Sequence, residues 1–290
     1  METICTETPS GGLCRTVDGE LAKEYYCIGG DKKIYKSDTS SCTAINTSAA
    51  VVSIFEKKAD GYALGTFGSI NEGIIYSCAD NGSCEQLVDT YYYSTNLYKC
   101  DATGKCTKQA SASGTYLTGV GVVGPKGVVT YSSAVTCTSG SSCNAVTAGI
   151  FVDAATPGNI INCATASSCT SSPGSIAPGV AYVGSATKTI IKCTSSSSCL
   201  SATHTSASDL YYIDGSAPKQ IIKCDSNKCE SDTVSTSAIQ PDGINSDRML
   251  VCTSAGCIAT KSKYNYVWYI MIYHFLYIYI FYFFWYIIIF

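Results

Sequence analysis

Large aromatic side chains are scarce through most of this chain. There is no Trp before Trp268, and Phe55, Phe67 and Phe151 are the only Phe in the first 263 residues. Ser, Thr, Gly and Ala fill much of that stretch, so each part of it has little apolar area to bury and is hard to stabilise by burial alone. Histidine is nearly missing too, with only His204 and His274, which leaves little for a Cys/His metal knuckle. Charge is low and balanced at a formal −3. That offers no basic stripe for nucleic acid, so no nucleic-acid partner is expected. No sustained helical periodicity appears before the C-terminus, which argues against a helical protein. Met1-Glu-Thr-Ile-Cys-Thr-Glu has neither a basic start nor an apolar run, so no secretory leader is visible.

Cysteine is what the chain has in excess, with 18 residues. Fourteen of them form seven close pairs: Cys78/Cys84, Cys100/Cys106, Cys137/Cys143, Cys163/Cys169, Cys193/Cys199, Cys224/Cys229 and Cys252/Cys257. The first members lie 22, 37, 26, 30, 31 and 28 residues apart, so one small unit has been copied with insertions between the pairs. Structural zinc sites favour C-x2-C or C-x4-C knuckles in facing pairs, whereas five of these seven pairs are C-x5-C. The spacing therefore favours disulfides, with no metal and no cofactor expected. Paired cysteines in a Ser/Thr-rich chain imply an oxidising compartment, hence an extracellular or cell-surface location. An oxidised protein without a visible leader is expected to begin earlier than Met1.

Aligned on the first cysteine, the copies define a unit. A short apolar run precedes it, as in Ile160-Ile161-Asn162, Ile190-Ile191-Lys192 and Ile221-Ile222-Lys223, and reads as a strand. Turn formers lie between the cysteines, as in Asp101-Ala-Thr-Gly104-Lys105 and Asp225-Ser-Asn227-Lys228. The two cysteines should face each other across a hairpin, within bridging distance. A Ser/Thr/Ala stretch follows, then a second apolar run such as Leu210-Tyr211-Tyr212-Ile213-Asp214 and a turn into the next copy. The expected fold is all-β: tandem disulfide-stapled short β-meanders in a stacked or elongated array. A closed propeller-like ring is the alternative, although these units are shorter than the ~40–45 residues of a propeller blade. Three regions result: degenerate N-terminal repeats over 1–73, seven Cys-pair repeats over 74–262 and a hydrophobic tail over 264–290. In the first region Ile34-Tyr35-Lys36-Ser37 repeats the pattern with Ser37 in place of the first cysteine. That leaves Cys42 without its usual partner, beside the off-pattern Cys5, Cys14 and Cys27. Four cysteines allow three connectivities.

This unit, Gly/Asp-x-Tyr-Tyr-Ile-Asp followed by Ile-Ile-Lys-Cys-x4/5-Cys, resembles the repeats of scaffoldins from anaerobic gut fungi over roughly residues 20–262. The resemblance implies a secreted or wall-associated, non-catalytic scaffold. Its partners would be plant-cell-wall-degrading glycoside hydrolases that carry cysteine-rich dockerin domains. It carries over no residue-level binding site. A glycosylated adhesion or structural wall protein is the alternative.

The recurring tyrosines Tyr92, Tyr116, Tyr182, Tyr211 and Tyr212 are the candidate contact residues, since outward Tyr offers large area at modest entropy cost. Neighbouring strand residues face opposite ways, so one ring of each Tyr-Tyr pair is expected inside and the other outside. Asn46 and Asn81 head N-glycosylation sequons, Asn81 at an expected hairpin tip. His204 reads as a solvated loop residue. Asp153, Asp209, Asp214 and Asp225 read as turn residues, and nothing selects a catalytic pair from them. Gly119-Val-Gly121-Val-Val-Gly124 reads as an enlarged turn, because the Gly-Lys-Ser/Thr ending of a phosphate loop is absent. A repeated unit without a repeated catalytic set is read as non-catalytic. Residues 264–290 contain no Asp, Glu, Lys or Arg and are long enough to span a bilayer. Yet Tyr, Ile and Phe make up 20 of these 27 residues, an odd composition for a span. Translated non-coding sequence therefore stands beside a membrane anchor as a reading.

Overall fold

The computed structural model describes residues 25–28, 33–37, 42–44, 51–58, 61–78, 83–124, 127–233 and 239–261. Among them it has 25 strands and no helix. The strands begin with β1 (Tyr25–Ile28), β2 (Ile34–Ser37), β3 (Cys42–Ala44), β4 (Val51–Lys58), β5 (Gly61–Gly65), β6 (Glu72–Cys78) and β7 (Cys84–Gln86). Next come β8 (Thr90–Tyr93), β9 (Leu97–Cys100), β10 (Lys105–Lys108), β11 (Gly114–Gly124), β12 (Gly127–Ser139) and β13 (Ser142–Ala145). They are followed by β14 (Gly149–Val152), β15 (Asn159–Thr165), β16 (Ser168–Pro173), β17 (Val180–Val183), β18 (Thr189–Ser195) and β19 (Ser198–Thr203). The last are β20 (Leu210–Asp214), β21 (Gln220–Cys224), β22 (Cys229–Thr233), β23 (Ile239–Pro241), β24 (Arg248–Thr253) and β25 (Gly256–Lys261).

Apart from β5 these strands group in threes, and in every group but the first the second and third strands carry the cysteine pair. The cysteines lie directly opposite each other in the ladders, Cys100↔Cys106, Cys137↔Cys143, Cys163↔Cys169, Cys224↔Cys229 and Cys252↔Cys257. The first cysteine also pairs with the start of the first strand: Thr90↔Cys100, Gly114↔Cys137, Gly149↔Cys163 and Leu210↔Cys224. β4, β6 and β7 obey the same rule through Val51↔Cys78 and Cys78↔Cys84, with β5 inserted between first and second strand. β1, β2 and β3 form a meander as well, with Ser37 opposite Cys42 at the staple position.

The chain divides into two compact units, 1–174 with 195–199, and 175–194 with 200–290. The sheets are open: one runs from β13 to β3, one holds β14, β15 and β16, one runs from β19 to β22, and one holds β23, β24 and β25. Among the described residues no sheet closes on itself; the fold is all-β, built of short disulfide-stapled meanders that stack within each unit. Within each unit, first strands of successive meanders meet in parallel, Tyr91↔Thr118 in one and Val180↔Ile213 in the other.

Stacking explains the Ile-Ile pairs. Ile222 packs with Ala181 and Ile190 of the preceding meander, whereas Ile221 packs with Leu250 of the following one. Successive strand residues face opposite ways, so two adjacent apolar residues mean that both faces are covered. Within each unit the staples lie on the face turned to the preceding repeat. Cys224 and Cys229 pack with Ala181 and Ile190, Cys252 and Cys257 with Ile213 and Ile221, and Cys137 and Cys143 with Leu97. The sulfur bridges therefore form part of the core between copies.

One connection departs from expectation. The Gly-rich run is no enlarged turn: β11 and β12 pair over eleven consecutive positions, from Gly114↔Cys137 to Gly124↔Gly127. Val-rich sequence on both arms favours the strand conformation, and the register rule at Cys137 is preserved.

Candidate functional site

Chemistry-bearing residues concentrate at two places, the staple hairpin and, in three meanders, the turn after the first strand. Six staples are bridged as Cys78–Cys84, Cys100–Cys106, Cys137–Cys143, Cys163–Cys169, Cys224–Cys229 and Cys252–Cys257, with Cα–Cα distances of 3.8–4.0 Å. Cys193 and Cys199 are disulfide-bonded as well. The hairpin tips are held by short polar side chains that accept backbone N–H groups. Asp101 Oδ1 accepts from Thr103 N at 2.8 Å and Lys105 N at 3.1 Å, and Asp225 Oδ1 accepts from Asn227 N at 2.7 Å and Lys228 N at 2.9 Å. Ser195 and Thr253 hydroxyls do the same for Ser197 and Ala255. These bonds to the ionised form hold the Asp101 and Asp225 carboxyls below the ordinary carboxylate value. For Asp101 the largest contribution is the hydroxyl bond from Thr103; for Asp225 it is the Asn227 N–H.

The second place was only partly visible in the sequence. Asp153, Asp214 and Asp242 each stand ten residues before a first cysteine, and each is buried to 4 % exposure. Each Oδ1 accepts the backbone N–H two residues on, from Ala155 (2.9 Å), Ser216 (2.8 Å) and Ile244 (2.8 Å). The following residue donates its N–H to the preceding meander, Ala154 to Thr115 O, Gly215 to Ala181 O and Gly243 to Tyr211 O, all at 2.8 Å. Glycine at 215 and 243 has a steric reason. A Cβ there would meet the Tyr182 ring at 2.4 Å and the Tyr212 ring at 2.7 Å. At Ala154 the exchange is reversed: the small partner is Gly114 of the preceding strand, whose added Cβ would lie 2.8 Å from the Ala154 Cβ. The Asp-Gly pair was legible as a turn. Its second task, seating a ring of the preceding copy, needed the structure. So did the Ser171 hydroxyl bond to Asp153 Oδ2 at 2.6 Å.

This geometry corrects the tyrosine expectation. Tyr182 and Tyr212 are buried, at 5 % and 2 % exposure, so neither presents a contact surface. Tyr92 packs beside Phe67 at 5.1 Å on the core around Ile75 and Tyr98. Tyr211 lies half-buried against Ile213 and Leu250. The rule of one ring in and one out fails because neighbouring meanders cover both faces. Tyr116 is half-buried and forms a ring pair with Tyr91 at 5.0 Å, with the Lys99 ammonium 5.9 Å from the Tyr91 ring. Burial, then the Asp153 charge, raises the Tyr91 hydroxyl pKa. His204 is buried rather than solvated; its backbone N–H donates to Lys188 O at 2.7 Å, and its ring Nε2 has no hydrogen-bond partner. In the same unit the Lys192 ammonium sits 4.8 Å from the Tyr212 ring. Burial lowers the Lys192 pKa, opposed by the Asp242 charge. Asp242 Oδ2 is buried without a hydrogen-bond partner.

Outward positions vary between copies. The residue after the second cysteine is Glu85, Thr107, Asn144, Thr170, Leu200, Glu230 or Ile258, and Leu200 and Ile258 are 61 % and 64 % exposed. Among the described residues no group of three or more His, Cys, Asp or Glu could hold a metal ion, and no helix is long and apolar enough to cross a membrane. Asn46, Asn81, Cys5, Cys14 and the 264–290 tail lie outside the described residues, as do the side chains of Cys27 and Cys42. Comparison of the chain with family models, curated proteins and solved structures found no match.

Proposed function

We propose that this chain is a non-catalytic extracellular scaffold whose repeats bind dockerin-bearing plant-cell-wall-degrading enzymes. The observation that carries this reading is the division of labour within each copy. Interior positions recur as two apolar residues before a staple, with a capping Asp in three copies, while the position after the second cysteine changes between Glu, Thr, Asn, Leu and Ile. Such an array holds one shape and presents successive, differing contact surfaces, as repeat proteins do. The multiple disulfides support an oxidising, extracellular setting. Tyr91 and Tyr116, half-exposed beside Lys99, are the aromatic contacts that remain after Tyr182 and Tyr212 are assigned to the core. Attachment to the cell surface through the tail and glycosylation at Asn46 and Asn81 belong to the same proposal. Calorimetry of the oxidised full chain with a fungal dockerin tests it. Saturable binding that reductant abolishes is expected. Absence of binding by a chain whose bridges are confirmed by mass spectrometry would remove the scaffold reading and favour an adhesive wall protein.

A further inference from the structure

The six bridges described above each close a hairpin within one meander, so none of them ties one meander to the next. Where β8–β10 meets β11–β13, two phenol rings lie against each other. Tyr91 on β8 and Tyr116 on β11 have ring centroids 5.0 Å apart, tilted by 41°. That separation is at the short end of the ~4.5–7 Å range of packed aromatic pairs. The backbone holds the rings there, because β8 and β11 run in parallel through Tyr91↔Thr118. Both rings rest on one apolar bed of Leu97, Val135 and the Cys137–Cys143 staple. The Tyr116 hydroxyl donates to Ser113 O at 3.1 Å, which restrains that ring further. Both residues are only half-buried, and Lys99 beside the Tyr91 ring is exposed, so solvent reaches part of each ring. Other tyrosines are placed differently. Tyr92 packs on Phe67, which has no hydroxyl, and Tyr98, Tyr182 and Tyr212 are buried.

We propose that Tyr91 and Tyr116 are a site of oxidative phenol coupling, which joins the two meanders by a carbon–carbon bond between their rings. The co-reactant is a one-electron oxidant of the haem-peroxidase class acting with hydrogen peroxide. It takes one electron from each phenol, and each hydroxyl proton leaves to solvent. The two neutral radicals then form one bond between ring carbons ortho to the oxygens. Each coupled carbon gives up its hydrogen as a proton and each oxygen takes one back, which restores two phenols. In sum, two tyrosines and one peroxide give one biphenol and two waters. Burial raises the pKa of both hydroxyls, with smaller contributions from the Asp153 charge at Tyr91 and from Tyr91 at Tyr116. Both rings are therefore neutral phenols at physiological pH and lose proton and electron together. The disulfides already call for an oxidising setting. This inference does not depend on the dockerin reading.

The chain has 22 tyrosines, so the position of the link is the decisive readout. The full chain with its disulfides intact, dilute in mild detergent, is treated with a haem peroxidase and limiting hydrogen peroxide. The expected product is a monomer with the blue fluorescence of a biphenol and a mass lower by two hydrogens. Proteolytic mapping should join the segment that holds Tyr91 to the segment that holds Tyr116. Tyr91→Phe and Tyr116→Phe keep a ring at each position and remove one phenol, so each should abolish this link. Tyr211→Phe, at a half-buried tyrosine elsewhere in the array, should leave it in place. Links found only at other tyrosines would overturn the proposal. So would the absence of any link while the same enzyme couples free tyrosine in the same solution.

Discussion

The β11–β12 ribbon and the Asp214 turn connect the same two strands of a meander in opposite ways. One runs through eleven cross-strand pairs before it returns; the other closes through a single side-chain cap at Asp214 Oδ1. Both deliver the second strand to the same register, with Gly114 opposite Cys137 and Leu210 opposite Cys224. The staple hairpin varies by one residue while this connection varies widely: the Asp214 turn rests on the preceding copy through Gly215, whereas the ribbon adds its extra pairs beyond the shared register. The ribbon is an insertion that preserves the register at Cys137, consistent with the slow growth of closure entropy with loop length.

Reducing every bridge should have the largest effect. A bridge closing so short a loop contributes about 2 kcal/mol, so full reduction should abolish cooperative melting, as followed by circular dichroism. Ile222→Ala ranks next, because Ile222 is fully buried between two copies. A loss of about 3 kcal/mol is expected in urea melts. By contrast, excising Gly121–Thr130 and closing the shortened ribbon with Asn-Gly should cost under about 1 kcal/mol. A larger cost would show that the ribbon is structural and would break the distinction between staple and connection. Gly215→Ala sharpens it from the other side. Its Cβ would enter the Tyr182 ring, so a loss of about 1–3 kcal/mol is expected in thermal melts. The smallest effect is electrostatic. The Asp225 carboxyl is held below its ordinary value by backbone N–H bonds. Its contribution is therefore full above the ordinary carboxylate value and fades as pH falls through the lowered one. Asp225→Asn should flatten the acid limb of the melting-temperature profile slightly and leave neutral pH nearly unchanged.

Much of this fold was legible. Ile-Ile-Lys-Cys followed by Asp-Ser-Asn-Lys and Cys is a strand, a turn and a strand by composition and spacing alone, and the structure forms β21 and β22 there. Ser37 opposite Cys42 had been foreshadowed by the missing cysteine. Tyr212 was misjudged because a half-solvated sheet was assumed, although Ile221-Ile222 already signalled that both faces are covered. His204 was read from its polar neighbours, but the fold bonds its backbone to Lys188 and buries its side chain. Asp242 was not singled out in the sequence; its buried, unpaired Oδ2 comes from packing against other copies and has no local signal.

The central claim is that each staple stabilises the interface with the preceding copy as well as its own hairpin. Hydrogen exchange on the oxidised chain carrying Cys224→Ala and Cys229→Ala tests it most directly. The account predicts lost protection in β21–β22 and also around Ala181 and Ile190, which pack on that bridge. Deprotection confined to β21–β22, with Ala181 and Ile190 unchanged, would contradict it.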